Sequence, residues 1–419
     1  MLDIIKKIYK NKILAVLLLF IVLFTPQSFY LQEINKLREI VTCIGIDKTE
    51  DGVELSILHI VPKNSLESGQ NIELATAKGE NIADVLNKIS LNLGKIISFA
   101  HCDVVLVADK VMEEGITKYL DFLMRKNNLT TSALVVGCDE AKKTLETIKS
   151  SKILASQSLR ELIEYNNKFI FTGESSVENF YQAYFSESGI SFLPVISVSG
   201  NSSSGDESGG GTSSNEGSAN SSSSNSEGSG SQGGLSGGGS QDIANDGDTH
   251  ILLKGKKVME LDKEAIQLFN ILSRDVDVSN LVAKDYVDGD GRVKTISTET
   301  TFKKVSKNCS FIDGKPIVHY DVELILSVDE IEAEEYSKKD LDRAEPPISK
   351  EAKMALEAEF ERLFASTVET CKTSGIDLFR VERVFDRLWR APWKEYSSKN
   401  EENLFENMIF SYDLNIVTK

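Results

Sequence analysis

Between Asn201 and Ser240 the chain is almost wholly serine, glycine and asparagine, 32 residues of 40. Such a stretch has too little apolar surface to offset the entropy of ordering it, and it reads as a disordered insertion. Whatever the chain folds into must be assembled from what lies on either side. As a coil, a stretch of this length spans on the order of 35 Å root-mean-square. It can join two domains or loop out of one, and the sequence leaves both open. The 419 residues suffice for two to three domains.

The N-terminus sets the compartment. Lys6, Lys7, Lys10 and Lys12 precede an unbroken apolar run from Ile13 to Phe24, and no charge follows until after Leu31. A basic flank ahead of an apolar run is an export signal whose lysines stay in the cytoplasm. The 19 uncharged residues from Ile13 to Leu31 reach about 28 Å as a helix, close to the thickness of the hydrocarbon core. Cleavage after Ser28 would put Pro26 at the other recognition position, a poor substrate for signal peptidase. The expectation is an uncleaved anchor helix over 13–31 behind a basic flank over 1–12, with the remainder outside the cytoplasm. A cleaved signal and a buried helix are the alternatives.

Beyond the anchor, hydrophobic periodicity organises the chain. Two apolar runs around Asp51-Gly52 predict a β-hairpin, and Ile72–Ala77 a third strand. Ile82, Val85, Leu86, Ile89 and Leu93 line one face of a helix that stops at Gly94. A strand over Asp103–Val107, a helix over Val111–Arg125, a strand over Thr131–Val136 and a helix from Asp139 follow. Residues 155–187 read mostly as helix, and Phe192–Val198 as strand. After the insertion, Lys254-Gly255-Lys256 turns a tight hairpin, with a short helix behind it. A long hairpin turns at Asp313-Gly314. Ser349 opens a long helix that Gly375 ends, a second helix covers Leu378–Leu388, and a strand over Leu404–Val417 closes the chain. The fold class is α+β with mixed α/β layering. The organisation is an N-terminal domain over 38–199, a linker over 200–249, a hairpin–helix segment over 250–277 and a C-terminal α+β domain over 278–419.

Chemistry is sparse. A net charge of −17 repels phosphate backbones, which argues against nucleic acid as a partner. Tyr286 to Gly291 resembles a calcium loop, but its twelfth position is Ser297 where a bidentate Glu is needed, so it reads as a turn. Asp242, Asp246, Asp248 and His250 are clustered at the end of the insertion and read as solvated linker. His101 and Cys102 are neighbours, which sends their side chains to opposite faces of a strand. Cys43, Cys138 and Cys371 fall in apolar settings as small buried hydrophobes, while Cys309 lies near a hairpin. No phosphate-binding loop, nucleophile elbow or zinc-ligand pair is present in the sequence, so no catalytic, cofactor-binding or metal residues are assigned. Trp389, Arg390 and Trp393, with Pro392, form an aromatic-basic corner that either packs the last domain or contacts a partner.

Four stretches carry a family resemblance. They are LQEINKLREIVTCIGIDKTEDG (Leu31 to Gly52), HCDVVLVADKVMEEGITKYLDFLMR (His101 to Arg125), LLKGKKVMELDKEAIQLFNIL (Leu252 to Leu272), and the tail from Ser349 to Lys419. In order and spacing the chain resembles the C-subunit family of bacterial spore nutrient-germinant receptors, Ger(x)C; the second stretch is the most specific. Members usually carry a lipobox cysteine just after the signal core. Here 18 residues separate Cys43 from the apolar run, and the lipobox is missing.

The resemblance implies a non-enzymatic, membrane-attached subunit on the outer face of the spore inner membrane, its N-terminus cytoplasmic. It further implies assembly with two multi-pass membrane subunits, A- and B-type, into a receptor that triggers germination in response to nutrients such as amino acids or sugars. It brings no ligand or catalytic residues and no cofactor. The alternative is an extracytoplasmic solute-binding protein of a transporter, which requires two lobes about a hinged cleft.

Overall fold

The computed structural model describes residues 16, 17, 19 and 20, then 38–61, 71–150, 159–161, 163–164, 176–199, 242–244, 248–272, 279–289, 291–333, 348–400 and 404–418. The anchor expected over 13–31 lies outside the described residues apart from Val16, Leu17, Leu19 and Phe20, which are helical and exposed. The disorder expected over 201–240 lies outside them entirely. Among the described residues, no helix is long and apolar enough to cross a membrane.

Fifteen strands and nine helices are described, and the fold is α+β as expected. β1 (Arg38–Thr49) and β2 (Gly52–Val61) form the expected hairpin, with β3 (Asn71–Gly79) antiparallel on its outer side. On the inner side β1 runs parallel to β4 (Ile96–Ser98) and then to β5 (Val104–Ala108), which is itself parallel to β6 (Leu134–Cys138). Helices cover both faces. α1 (Ile82–Leu93), α2 (Asp109–Glu114) and α3 (Thr117–Asn127) pack one face, and α4 (Ala141–Ser150) the other. Burial on two sides is why β5 and β6 read as continuous apolar runs instead of alternating.

The helix expected over Val111–Arg125 is two helices. Gly115 breaks it at φ 114°, and the N–H of Ile116 donates to the carbonyl of Gly255 at 2.9 Å instead of to its own helix. Gly255, at φ 78°, approaches so closely that a Cβ there would lie 2.3 Å from Thr117 Oγ1. The turn that carries Gly255 thus sits in the break that Gly115 opens.

The strand expected over Phe192–Val198 divides into β7 (Ile190–Pro194) and β8 (Ser197–Ser199). Both pair with residues beyond the insertion: β8 with β9 (Asp242–Ala244), and β7 with β10 (Thr249–Leu253), whose other neighbour is β11 (Lys256–Leu261). Ser199 and Asp242 are register partners, so the chain leaves and re-enters the fold at adjacent points. The three-stranded sheet β11-β10-β7 forms a middle layer. Its alternation sends Leu193 and Leu252 into the N-terminal core, and Phe192 and Ile251 into the C-terminal one.

Behind the hairpin, α5 (Val177–Tyr184) lies against the N-terminal body, and α6 (Lys263–Leu272) against the C-terminal core. β12 (Asn280–Val287), absent from the sequence reading, pairs with β13 (Val293–Ile312), which forms the long hairpin with β14 (Lys315–Ala333) through Asp313 and Gly314, both at positive φ. α7 (Lys350–Ser374) crosses this sheet between its Ser349 cap and Gly375. β15 (Ile409–Thr418) runs parallel to β14. The helix expected over Leu378–Leu388 begins only at Glu382, and a further helix follows it: α8 (Glu382–Leu388) and α9 (Arg390–Lys399). Pro392 is tolerated in the first turn of α9, where its missing N–H has no partner to lose.

Candidate functional site

The aromatic-basic corner divides once folded. Trp393 is 3% exposed, stacked on Phe385 with ring centroids 5.1 Å apart and on Tyr396 at 5.8 Å. It belongs to the C-terminal core. Trp389 stands at the junction of α8 and α9, where its indole N–H donates to the carbonyl of Cys309 at 2.8 Å and braces the long hairpin. Trp389 meets the ring of Phe311, centroids 6.1 Å apart, and remains 37% exposed. Arg390 is exposed, with Nε 4.0 Å from Asp386 Oδ1.

Asp386 extends the corner into a groove. A depression of about 390 Å³ is lined by Gln182, Phe185, Ser186 and Glu187 from the end of α5, and by Arg383 and Asp386 of α8. Arg383 and Asp386, three residues apart, share a face of α8, and Arg390 reaches Asp386 from the start of α9. Phe185 is 77% exposed although it stacks on Tyr181, centroids 6.1 Å apart, and meets Tyr184 edge-on at 5.1 Å. Asp386 Oδ1 is buried and makes no hydrogen bond among the described residues. Phe185 thus stands exposed in a groove that Arg383 also lines, and the charged neighbour of Asp386 Oδ1 is Arg390. The sequence reading missed Phe185, Arg383 and Asp386. The available signal was the Phe180-Tyr181 and Tyr184-Phe185 pairs, more aromatics than one buried helical stripe holds.

The floor beneath α8 is electrostatically tuned. Asp377 is fully buried and accepts the N–H groups of Val381 and Glu382, each at 2.9 Å, which caps α8. Arg380 passes this point with a left-handed backbone, φ 52°, its guanidinium 4.7 Å over the ring of Phe192 in β7. Lys307 Nζ donates to the carbonyl of Phe379 at 3.0 Å. Burial raises the Asp377 carboxyl and lowers the Lys307 ammonium. Burial, reinforced by the carboxylates of Asp377 and Glu187, pushes Glu382 up to about 7.

Other titratable clusters are accounted for by packing. His250, expected in solvated linker, is instead a β10 residue only 5% exposed. It pairs with Leu193 and so faces the N-terminal body, with Asp109 Oδ1 at 3.3 Å and Glu260 Oε1 at 3.4 Å. These three are spaced to hold a metal ion, but Lys257 Nζ already sits 3.1 Å from Asp109 and 2.8 Å from Glu260, an internal cation in that place. Burial, with the ammonium of Lys257, holds the His250 imidazole below its usual range. His319, Asp321 and Asp413 form a second, more open set on the C-terminal sheet. His59 is buried against Glu39 at 2.8 Å, while His101 is exposed. All five cysteines are free; burial drives the thiols of Cys43, Cys102 and Cys138 far above their ordinary values and Cys371 to about 12. None of these four is a ready nucleophile at neutral pH.

The two halves of the chain are joined through the middle sheet, whose strands contribute to both cores. Residues 32–198 match the family model described as spore germination protein N-terminal domain, and residues 248–417 the one described as spore germination B3/GerAC like, C-terminal. The chain belongs to the Ger(x)C family of spore germination proteins. It is 29% identical over 140 residues to "Spore germination protein KC" of Bacillus subtilis (strain 168), a match covering 31% of this chain and 34% of that protein. The matched region therefore spans about a third of that relative's length. The solved structure titled "Crystal Structure of the GerBC protein" aligns over 90% of this chain and 96% of that one, at 13% identity and a TM-score of 0.46.

Proposed function

We propose that this protein is the C-type subunit of a nutrient-germinant receptor, a non-enzymatic component that works by protein contact. The observation that carries the reading is the succession of both family domains, in order, over nearly all of the folded chain. The segment over 13–31 anchors it with the N-terminus in the cytoplasm and the domains on the outer face of the spore inner membrane. Its partners are two multi-pass membrane subunits, of A and B type. The surface formed by Phe185, Arg383, Trp389 and Arg390 is the contact we assign to them, and Trp393 supports it from beneath.

The middle sheet supports this reading over a solute-binding protein. A hinged cleft needs two lobes free to move, whereas β7 and β10 send alternate side chains into both cores. The test is germination itself. Spores lacking this chain and its paralogues should fail to respond to the cognate nutrient and recover on complementation; an unchanged nutrient response would overturn the proposal.

A further inference from the structure

Packing explains where His319, Asp321 and Asp413 stand; the donors they gather are a separate matter. β14 and β15 run parallel, with His319 opposite Ser411 and Asp321 opposite Asp413. Between them, Tyr320 and Tyr412 both pack on Phe364 of α7. Alternation therefore brings His319, Asp321 and Asp413 together on the other face of the sheet. Each is oriented from outside the set. His319 Nδ1 is hydrogen-bonded to the hydroxyl of Ser411 at 2.9 Å, which leaves Nε2 towards the carboxylates. Asp321 Oδ2 accepts the hydroxyl of Ser306 at 2.8 Å and the amide of Asn308 at 2.9 Å, both from β13, which leaves Oδ1 towards Nε2. Outer partners of this kind fix the ring and carboxylate of metal ligands.

The spacing within the set decides between two uses. Nε2 lies 3.3 Å from Asp321 Oδ1 and 3.6 Å from Asp413 Oδ2. A charge-assisted hydrogen bond from an imidazolium closes to about 2.7–2.9 Å. Two ligands of one tetrahedral zinc ion, each ~2.0–2.1 Å from it, stand about 3.3–3.4 Å apart. The three donors thus fit corners around an ion better than a hydrogen-bonded triad. The set of Asp109, His250 and Glu260 differs, because Lys257 already supplies its cation. Among the described residues no lysine or arginine pairs with Asp321 or Asp413. A net charge of −17 also draws cations to the chain.

One imidazole and two carboxylates suit zinc, with an open fourth position for water. We propose that His319, Asp321 and Asp413 form a zinc site. The ion clips β15, the edge strand of the C-terminal sheet, to β14. The proposal goes beyond the receptor reading and does not depend on it, since binding is measured on this protein alone.

Full-length protein without an affinity tag, in mild detergent and titrated calorimetrically with zinc chloride, tests it. One ion should bind per chain with micromolar affinity. His319→Ala and Asp413→Asn should each weaken binding by more than about tenfold. Glu260→Gln, in the set that Lys257 fills, should leave it unchanged. Zinc should raise the melting temperature of the parent and not that of the two site variants. Asp413 is 83% exposed, so Asp413→Asn carries the test even where His319→Ala melts lower. Cobalt in place of zinc should give the visible bands of tetrahedral nitrogen–oxygen coordination, without thiolate charge transfer. No binding, or binding that both site variants retain, would overturn the site. Loss on Glu260→Gln alone would place the ion at the other set, and a thiolate–cobalt band would place it at a cysteine; either would overturn the proposal.

Discussion

The carboxylate of Asp47, at the end of the first strand, holds the first turn of the helix that starts at Ala141. Its two oxygens accept the N–H groups of Ala141 and Lys142, each at 2.8 Å. Two residues earlier, Gly45 lets that helix close on the sheet: a Cβ there would lie 2.9 Å from Leu145 Cδ1. Lys48 pairs with Glu114 at 2.9 Å. The run Gly45-Ile46-Asp47-Lys48 is therefore a helix-docking element that joins both faces of the sheet. Asp47→Ala should cost about 1 kcal/mol, up to ~2, as loss of a cap does. Asp47→Asn should recover part of it, read as the shift in urea midpoint at unchanged slope.

Glu382 sets a pH dependence. Its carboxyl is raised from 4.5 to about 7 in the folded protein, so the native state holds a proton that the unfolded chain releases. The stabilisation is complete below pH 4.5 and is lost as pH rises through about 7. With allowance for its partial exposure, the loss should total on the order of 2 kcal/mol. Glu382→Gln should flatten the profile and melt higher than the parent above that window. Parallel profiles for the two proteins would refute the assignment.

The two tryptophans of the corner should separate cleanly in stability measurements. Trp393→Ala empties a stacked core position and should cost ~3–5 kcal/mol. Trp389→Phe loses one hydrogen bond to Cys309 and should cost about 1 kcal/mol. Arg390→Ala, at an exposed position, should stay within ~0.5 kcal/mol. Chemical denaturation of the three variants checks the order.

Gly255 ties the hairpin to the α2–α3 break. Gly255→Ala combines a positive φ with a 2.3 Å approach to Thr117 Oγ1. It should destabilise by at least ~1 kcal/mol. The accompanying Thr117→Gly change should recover the steric part of that loss, leaving the backbone part.

Local signals in the sequence located most elements. Ser349, Gly94 and Gly375 act through their own backbone neighbourhoods, and the structure has them capping the expected helices. What escaped was non-local. The pairing of Ile190–Pro194 with Thr249–Leu253 bridges the insertion and has no local mark. β12 carries interrupted apolar spacing because a bulge between Ala283 and Tyr286 disturbs its register. His250 sits beside acidic linker residues in sequence, and only the β10 alternation turns it inward. The corner at Trp389 was legible as a cluster. Its union with Phe185 required a fold that brings residues from both sides of the insertion to one groove.

The central claim, a contact subunit of a membrane receptor, is tested most directly by purifying the protein from spore membranes under mild detergent, beside a Phe185→Asp/Arg383→Glu variant. Both changes lie on the surface and should move folding stability by no more than ~0.5 kcal/mol. The account predicts that two multi-pass subunits accompany the parent chain and that the variant retains them more than about tenfold less well. A parent chain that leaves the membrane without them would contradict it.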